Sequence, residues 1–256
     1  MKVGMFAFAL FLASCAGPAQ LAETSPPSLP TTTTITTTVT TQTEVPPPLS
    51  TDPTTPLPHP TVATARSELA VYADPWSKVP SEVLPAATIL GTPTVVRIID
   101  PPSGGWAQVS LPGRPNGRTG WIRLGDVDLT VVSTTIRVDL SARQLEVWEN
   151  GTLLVSTPVA VGSATSPTPT GVFFVTDAID MTANPGAWGP FAFGLSARSD
   201  VITEFNGGDG IIGIHGTNRP SSIGEARSLG CVRLPNEMIL ELAKVIELGT
   251  TVEISA

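Results

Sequence analysis

"TIRVDLSARQLEVWENGTLLVSTPVAVG", residues 135–162, alternates apolar with polar side chains in three short runs. A strand presents successive side chains to opposite faces, so a period of two gives one buried and one solvated face. Leu145 and Val147 keep that period, and Glu149-Asn150-Gly151 marks a hairpin, because Asn-Gly accepts the positive φ angles of a tight turn. The stretch reads as a meander. Downstream, "SPTPTGVFFV" (166–175) sets proline and glycine ahead of another strand, and "TVEI" (251–254) returns as a strand near the end. Between them, "PNEMILELAKVIELG" carries apolar residues at 238, 239, 242, 245 and 246, one stripe at helical spacing. Asn236 is the expected N-cap of that helix and Gly249 its closing residue.

Working outward toward the N-terminus, the strand signal continues from Ser67 to Leu129. "LAVYADP", "TILGTPTVVRIID", "GWAQVSL" and "GRTGWIRLGDVDL" are separated by Pro/Gly-rich turns, the pattern of a small β-barrel. Its closing "GWIRLGDVDL" resembles the last strands of bacterial SH3-like domains. The expected fold is mainly β: an SH3-like barrel over 67–130, then a β-rich domain over 134–256 with one clear C-terminal helix. Trp76, Trp106 and Trp121 have two readings, a ligand platform or core and junction residues.

Residues 15–66 are different. "TSPPSLPTTTTITTTVTTQTEVPPPLS" has almost no large apolar side chain to offset the entropy of ordering it, so it reads as a disordered Thr/Pro-rich tether. His59 lies within it. Before it, Lys2 and the apolar "VGMFAFALFLAS" have the form of a signal peptide, 1–14, too short to span the ~30 Å bilayer core. Leu12-Ala13-Ser14-Cys15 resembles the lipobox of bacterial lipoproteins, which implies diacylation of Cys15 and a membrane-anchored protein facing the cell wall. With 22 acidic against 14 basic residues, the chain has a net charge of −8. That balance argues against nucleic acid as a partner, since phosphates need Lys and Arg to displace their counterions.

With Cys15 assigned to the anchor, Cys231 is a lone thiol in an exported chain. His215 ends the strand-like "GIIGIHGTN", and Cys231 follows 16 positions later in a Gly/Ser-rich loop before the helix. An imidazole beside a thiol is the usual way to make a nucleophile near neutral pH. On those residues alone, Cys231 as a small buried side chain and His215 as a satisfied strand end remain open readings, since free cysteine is among the residue types most often buried.

"IGIHGTN" followed by "SLGCVRLPN", with "TPTGVFFV" upstream, resembles the signature of the L,D-transpeptidases, the YkuD-type catalytic domain, from about Thr134 to the C-terminus. The resemblance implies Cys231 as nucleophile and His215 as general base and acid, oriented by the Gly216 carbonyl. It implies backbone N–H groups of Gly230 and Cys231 as the oxyanion hole. Arg233 and Ser228 match signature positions that shape the loop or contact substrate. The Gly/Pro/aromatic-rich stretch 178–209 is expected to flank the donor cleft, with Trp188 and Phe191 either lining it or packing beneath it. The implied reaction acts on peptidoglycan tetrapeptide stems. The thiolate expels the terminal D-Ala to give a thioester, and a neighbouring stem's side-chain amine resolves it to a 3→3 cross-link. Carbapenems are the expected covalent inhibitors, and neither cofactor nor metal is implied. Leu229 departs from the signature, which has a second histidine there. The alternatives are water as acceptor, giving an L,D-carboxypeptidase, and a wall-binding lipoprotein without chemistry.

Overall fold

The structure, a computed structural model, describes residues 61–205 and 208–256. The signal segment, Cys15 and most of the expected tether, His59 included, lie outside them. Seven strands come first: β1 (Thr61–Ala65), β2 (Leu69–Val71), β3 (Glu82–Leu84), β4 (Val95–Ile98), β5 (Trp106–Ser110), β6 (Thr119–Arg123) and β7 (Val127–Val131). Five form an antiparallel sheet in the order β6-β5-β4-β1-β7, and β2 pairs with β3 in a hairpin linked to β6 through Tyr72 and Trp121. β1 lies inside that sheet, between β4 and β7. The boundary of the tether at residue 66 is therefore corrected: Val62 and Ala63 are buried, so ordered chain begins by residue 61. Val71, Val96, Ile98, Val109 and Ile122 fill the core of this N-terminal module. Trp106 stands edge-on to Tyr72 at 5.1 Å, with the Arg123 guanidinium over both rings. Trp76 stands apart, 85% exposed on a turn that Asp74 holds by accepting the Trp76 N–H.

The second part adds β8 (Thr134–Asp139), β9 (Gln144–Glu149), β10 (Thr152–Pro158), β11 (Val161–Gly162), β12 (Gly171–Asp180), β13 (Phe191–Arg198), β14 (Ile211–His215), β15 (Ala226–Ser228), β16 (Val232–Arg233), the helix α1 (Asn236–Leu242) and β17 (Thr251–Ser255). Eight of these strands make one sheet, β10-β9-β8-β17-β12-β13-β14-β16, while β11 pairs with β15. The β8–β9–β10 meander is in the expected place, and Asn150 and Gly151 turn it with φ of 48° and 80°. Two neighbouring pairs in the large sheet, β8/β17 and β14/β16, are parallel. Buried Val147, Phe173, Leu195, Ile214, Leu234 and Leu242 belong to its core. The protein is thus mainly β with one α-helix among the described residues.

That helix is shorter than its apolar stripe. It stops at Leu242, and Gly249 turns the chain into β17 instead of closing it. Asn236 does not cap it either: Pro235 holds the N-cap position, and Asn236 Oδ1 accepts the Thr217 N–H at 2.7 Å. The two parts share a third apolar cluster, in which Val62 and Val95 of the first sheet pack on Val132 and on Phe174 of β12. Phe174 is fully buried. Phe174→Ala should lower unfolding free energy by about 3–5 kcal/mol, measured by denaturant titration, because truncating a buried aromatic loses transfer energy and leaves a cavity.

Candidate active site

The site begins with the β14/β16 pairing. Ile214 lies opposite Val232 and His215 opposite Arg233, which sets Cys231 next to Gly213. Gly213 and His215 share a face of β14, since strand side chains alternate. Cys231 Sγ accepts the Gly213 N–H at 3.4 Å, and both Cys231 and His215 line one cleft of about 430 Å³. The structure brings the two side chains to a common space without a hydrogen bond between them.

His215 is 5% exposed. Its Nδ1 lies 2.5 Å from the Gly216 carbonyl oxygen. A carbonyl only accepts, so Nδ1 carries the proton and Nε2 keeps its lone pair. The Trp188 ring lies beside the imidazole at 6.1 Å. Close backbone approach holds this corner together. A Cβ on Gly189 would collide with Asn236 Oδ1 and with the backbone of Gly216 and Thr217, so only glycine lets the 186–189 turn sit against the strand end.

The loop carrying Cys231 is braced by hydroxyls. Ser228 Oγ accepts the Gly230 N–H at 3.0 Å and donates to the Cys231 carbonyl at 2.5 Å. Thr168 Oγ1 donates to the Gly230 carbonyl at 2.8 Å and accepts the Gly162 N–H at 2.9 Å. Gly230 has φ +117°, with Ile212 Cδ1 only 2.9 Å from where a Cβ would stand, so this position requires glycine. These bonds revise two expectations. The Gly230 N–H is taken by Ser228, leaving the Cys231 N–H, which none of the hydrogen bonds among the described residues uses, as the amide open to a substrate oxygen. Ser228 itself is 1% exposed and shapes the loop without surface to offer a substrate.

Electrostatics keep the resting pair neutral. Burial pulls the His215 pKa down to about 4, and Arg233 pushes the same way, against the Gly216 and Trp188 backbone. Burial also raises the Cys231 pKa, opposed by the Gly213 N–H and by Arg233. At neutral pH the structure therefore holds a thiol beside a neutral imidazole, not a standing thiolate–imidazolium pair. The Arg233 guanidinium lines the cleft and makes no hydrogen bond or ion pair among the described residues, so its donors are open to an anion.

Of the two aromatic residues read as cleft candidates, Trp188 lines the cleft and Phe191 does not. Phe191 packs on Phe193, ring centroids 5.0 Å apart, against the core. Leu229, half exposed, lines the cleft where the signature has histidine. Ile89 and Leu90 were not among the sequence candidates, yet they reach the cleft from the N-terminal module. Gly91 and Pro93 announce a turn there, but nothing in the sequence announces its destination.

A β-rich domain with a cysteine and a histidine on one cleft and an open backbone amide beside the sulfur defines a candidate thiol-dependent acyl-transfer site. Residues 133–254, just under half of the chain, match the family model of the L,D-transpeptidase catalytic domain, YkuD. Two curated relatives, YkuD of Bacillus licheniformis and YkuD of Bacillus subtilis, both provisionally named L,D-transpeptidases, are 40% and 39% identical over 121 residues. Each match covers 47% of this chain and 64% or 65% of the relative, just under two thirds of its length. A solved L,D-transpeptidase from Mycobacterium tuberculosis H37Rv is 14% identical over 75% of this chain and 81% of its own, with a TM-score of 0.41.

Proposed function

We propose that the domain at 133–254 transfers acyl groups between peptidoglycan stem peptides through a thioester on Cys231. The observation that carries this reading is the shared cleft of Cys231 and His215, inside the segment that matches the L,D-transpeptidase model. As Sγ attacks the carbonyl carbon on the L-centre of the stem's diamino acid, His215 Nε2 takes the thiol proton. Charge develops on the carbonyl oxygen, where the open Cys231 N–H stabilises it. The imidazolium then returns the proton to the leaving D-Ala nitrogen, and the thioester remains. A side-chain amine of a second stem attacks, gives a proton to Nε2 and forms the 3→3 amide bond. The sulfur leaves as thiolate and recovers that proton from the imidazolium, which restores both groups. Water in place of the amine gives the carboxypeptidase outcome.

Arg233 and Arg219, which both line the cleft, are the cations available for a substrate carboxylate, and Trp188 is the aromatic wall beside the imidazole. The N-terminal module is read as SH3-like, and Cys15 as the lipid attachment that holds the protein at the membrane facing the wall. One experiment tests several of these claims. Intact mass of the membrane-extracted protein is expected to start at Cys15 with two acyl chains and, after incubation with a carbapenem, to gain one adduct mapping to Cys231. An unchanged mass after carbapenem treatment would count against the acyl-transfer reading, and a mass without acyl chains against the anchor.

A further inference from the structure

The outer half of the cleft is made by two distant pieces of chain. Ile89 and Leu90, between β3 and β4, line it together with Ile202, Phe205 and Leu229. All five are apolar, and Ile89 is 76% exposed, an unusual state for a side chain that gains by leaving water. The turn bearing Ile89 is fixed to the catalytic domain, because Thr88 Oγ1 donates to the buried Asp177 carboxylate at 2.5 Å.

The cleft wall at residues 199–205 has no helix or strand of its own. Its backbone is held from the N-terminal module by Arg114. Nη1 donates to the Ser199 carbonyl at 2.5 Å, Nη2 to the Ile202 carbonyl at 3.2 Å, and Nε to Asp209 Oδ1 at 3.1 Å. Asp209 Oδ2 takes Arg198 Nε at 3.0 Å, and Asn116 exchanges two hydrogen bonds of 2.8 Å with the Arg198 backbone. A planar guanidinium can serve several fixed acceptors at once, which an ammonium on a flexible stem does poorly.

We infer that the N-terminal module is a working part of the cleft: Arg114 is a positioning residue that holds 199–205 as the outer wall, and Ile89 and Leu90 complete an apolar subsite for an uncharged section of the stem. Nε, Nη1 and Nη2 of Arg114 are all engaged by the wall and Asp209, while Asp200 and Glu204 on the exposed side of the wall would repel a substrate carboxylate. An amide-bearing or methyl-bearing section therefore fits there, with anionic groups directed to Arg233 and Arg219. This inference rests on the acyl-transfer reading of Cys231.

The test uses the full chain and its Arg114→Ala, Arg114→Lys and Ile89→Asp variants, each assayed for kcat and KM with a disaccharide-tetrapeptide and for the rate of carbapenem acylation. Because the outer wall is assigned to the stem alone, a carbapenem is expected to react without it. Arg114→Ala is expected to raise KM roughly tenfold or more, since charged hydrogen bonds to fixed acceptors are lost, while kcat and acylation rate stay near wild type. Arg114→Lys should fall between. Ile89→Asp should raise KM similarly without changing the melting temperature, because its side chain is mostly exposed. Wild-type KM in both Arg114→Ala and Ile89→Asp would overturn the inference. So would a parallel fall of acylation and turnover in Arg114→Ala with Ile89→Asp silent, which leaves Arg114 a purely structural role. If Arg114→Ala does not fold, Ile89→Asp decides alone. A wild-type protein inert toward both reagents would sink the acyl-transfer reading itself.

Discussion

Cys231→Ala should take up no carbapenem and release D-Ala from tetrapeptide stems at least about 10⁴-fold more slowly than the wild type, as expected when a covalent nucleophile is removed. The fold should persist. Cys231 is half-buried, and its sulfur accepts one long bond from Gly213. Intact mass and product analysis on the same preparation read both halves of the expectation. Turnover by a folded Cys231→Ala protein would mean that another group attacks, and the proposed mechanism would fall.

His215→Gln is expected to slow turnover by roughly 10²–10⁴-fold, the range for loss of a positioned general base. The pH profile separates this role from a merely structural one. In the wild type the base is neutral above its pKa of about 4 and is lost when acid protonates the imidazole below it. The acid limb of kcat/KM should therefore lie near 4, well below the ~6.5 of an unperturbed histidine. The same shift has a stability consequence of definite sign. The unfolded chain binds a proton at this histidine below about pH 6.5 and the folded protein only near 4, so stability declines as pH falls through that window. The decline attributable to His215 is on the order of a few kcal/mol. His215→Gln should flatten that part of the curve in urea titrations at pH 7, 5.5 and 4. An acid limb at an ordinary histidine pKa would show the imidazole to be better solvated than its burial implies.

The legible parts of this fold are those in which local chemistry and tertiary burial agree. Alternation marks β8–β10 because one face is buried and the other solvated, and Asn150-Gly151 turns as its composition requires. β13 escaped notice for the opposite reason. "FAFGLSAR" is buried on both faces along most of its length, so no period of two shows, and Gly and Ser in it imitate a loop. The helix was drawn too long because its stripe continues through Val245 and Ile246, where the chain has already left helical geometry. Asn236 and Gly249 looked like caps by residue type, yet tertiary contacts use them otherwise. At the candidate site, the pairing of Cys231 and His215 on one cleft could be read because so few groups in the folded part compete with them. The cleft's outer half could not be. Its residues come from positions 89, 90, 202, 205 and 229, and no sequence pattern links a turn in one module to a wall in the other.

Holding sulfur as an uncharged thiol until a stem arrives has a protective side. Peroxide and disulfide reagents attack the anion far faster than the protonated form, so a half-buried, proton-bearing Cys231 resists sulfenic acid formation and mixed disulfides. The environment that makes the resting group sluggish toward small oxidants also gives it durability, and on the proposed mechanism reactivity emerges only where a bound peptide lets the imidazole draw the hydrogen away.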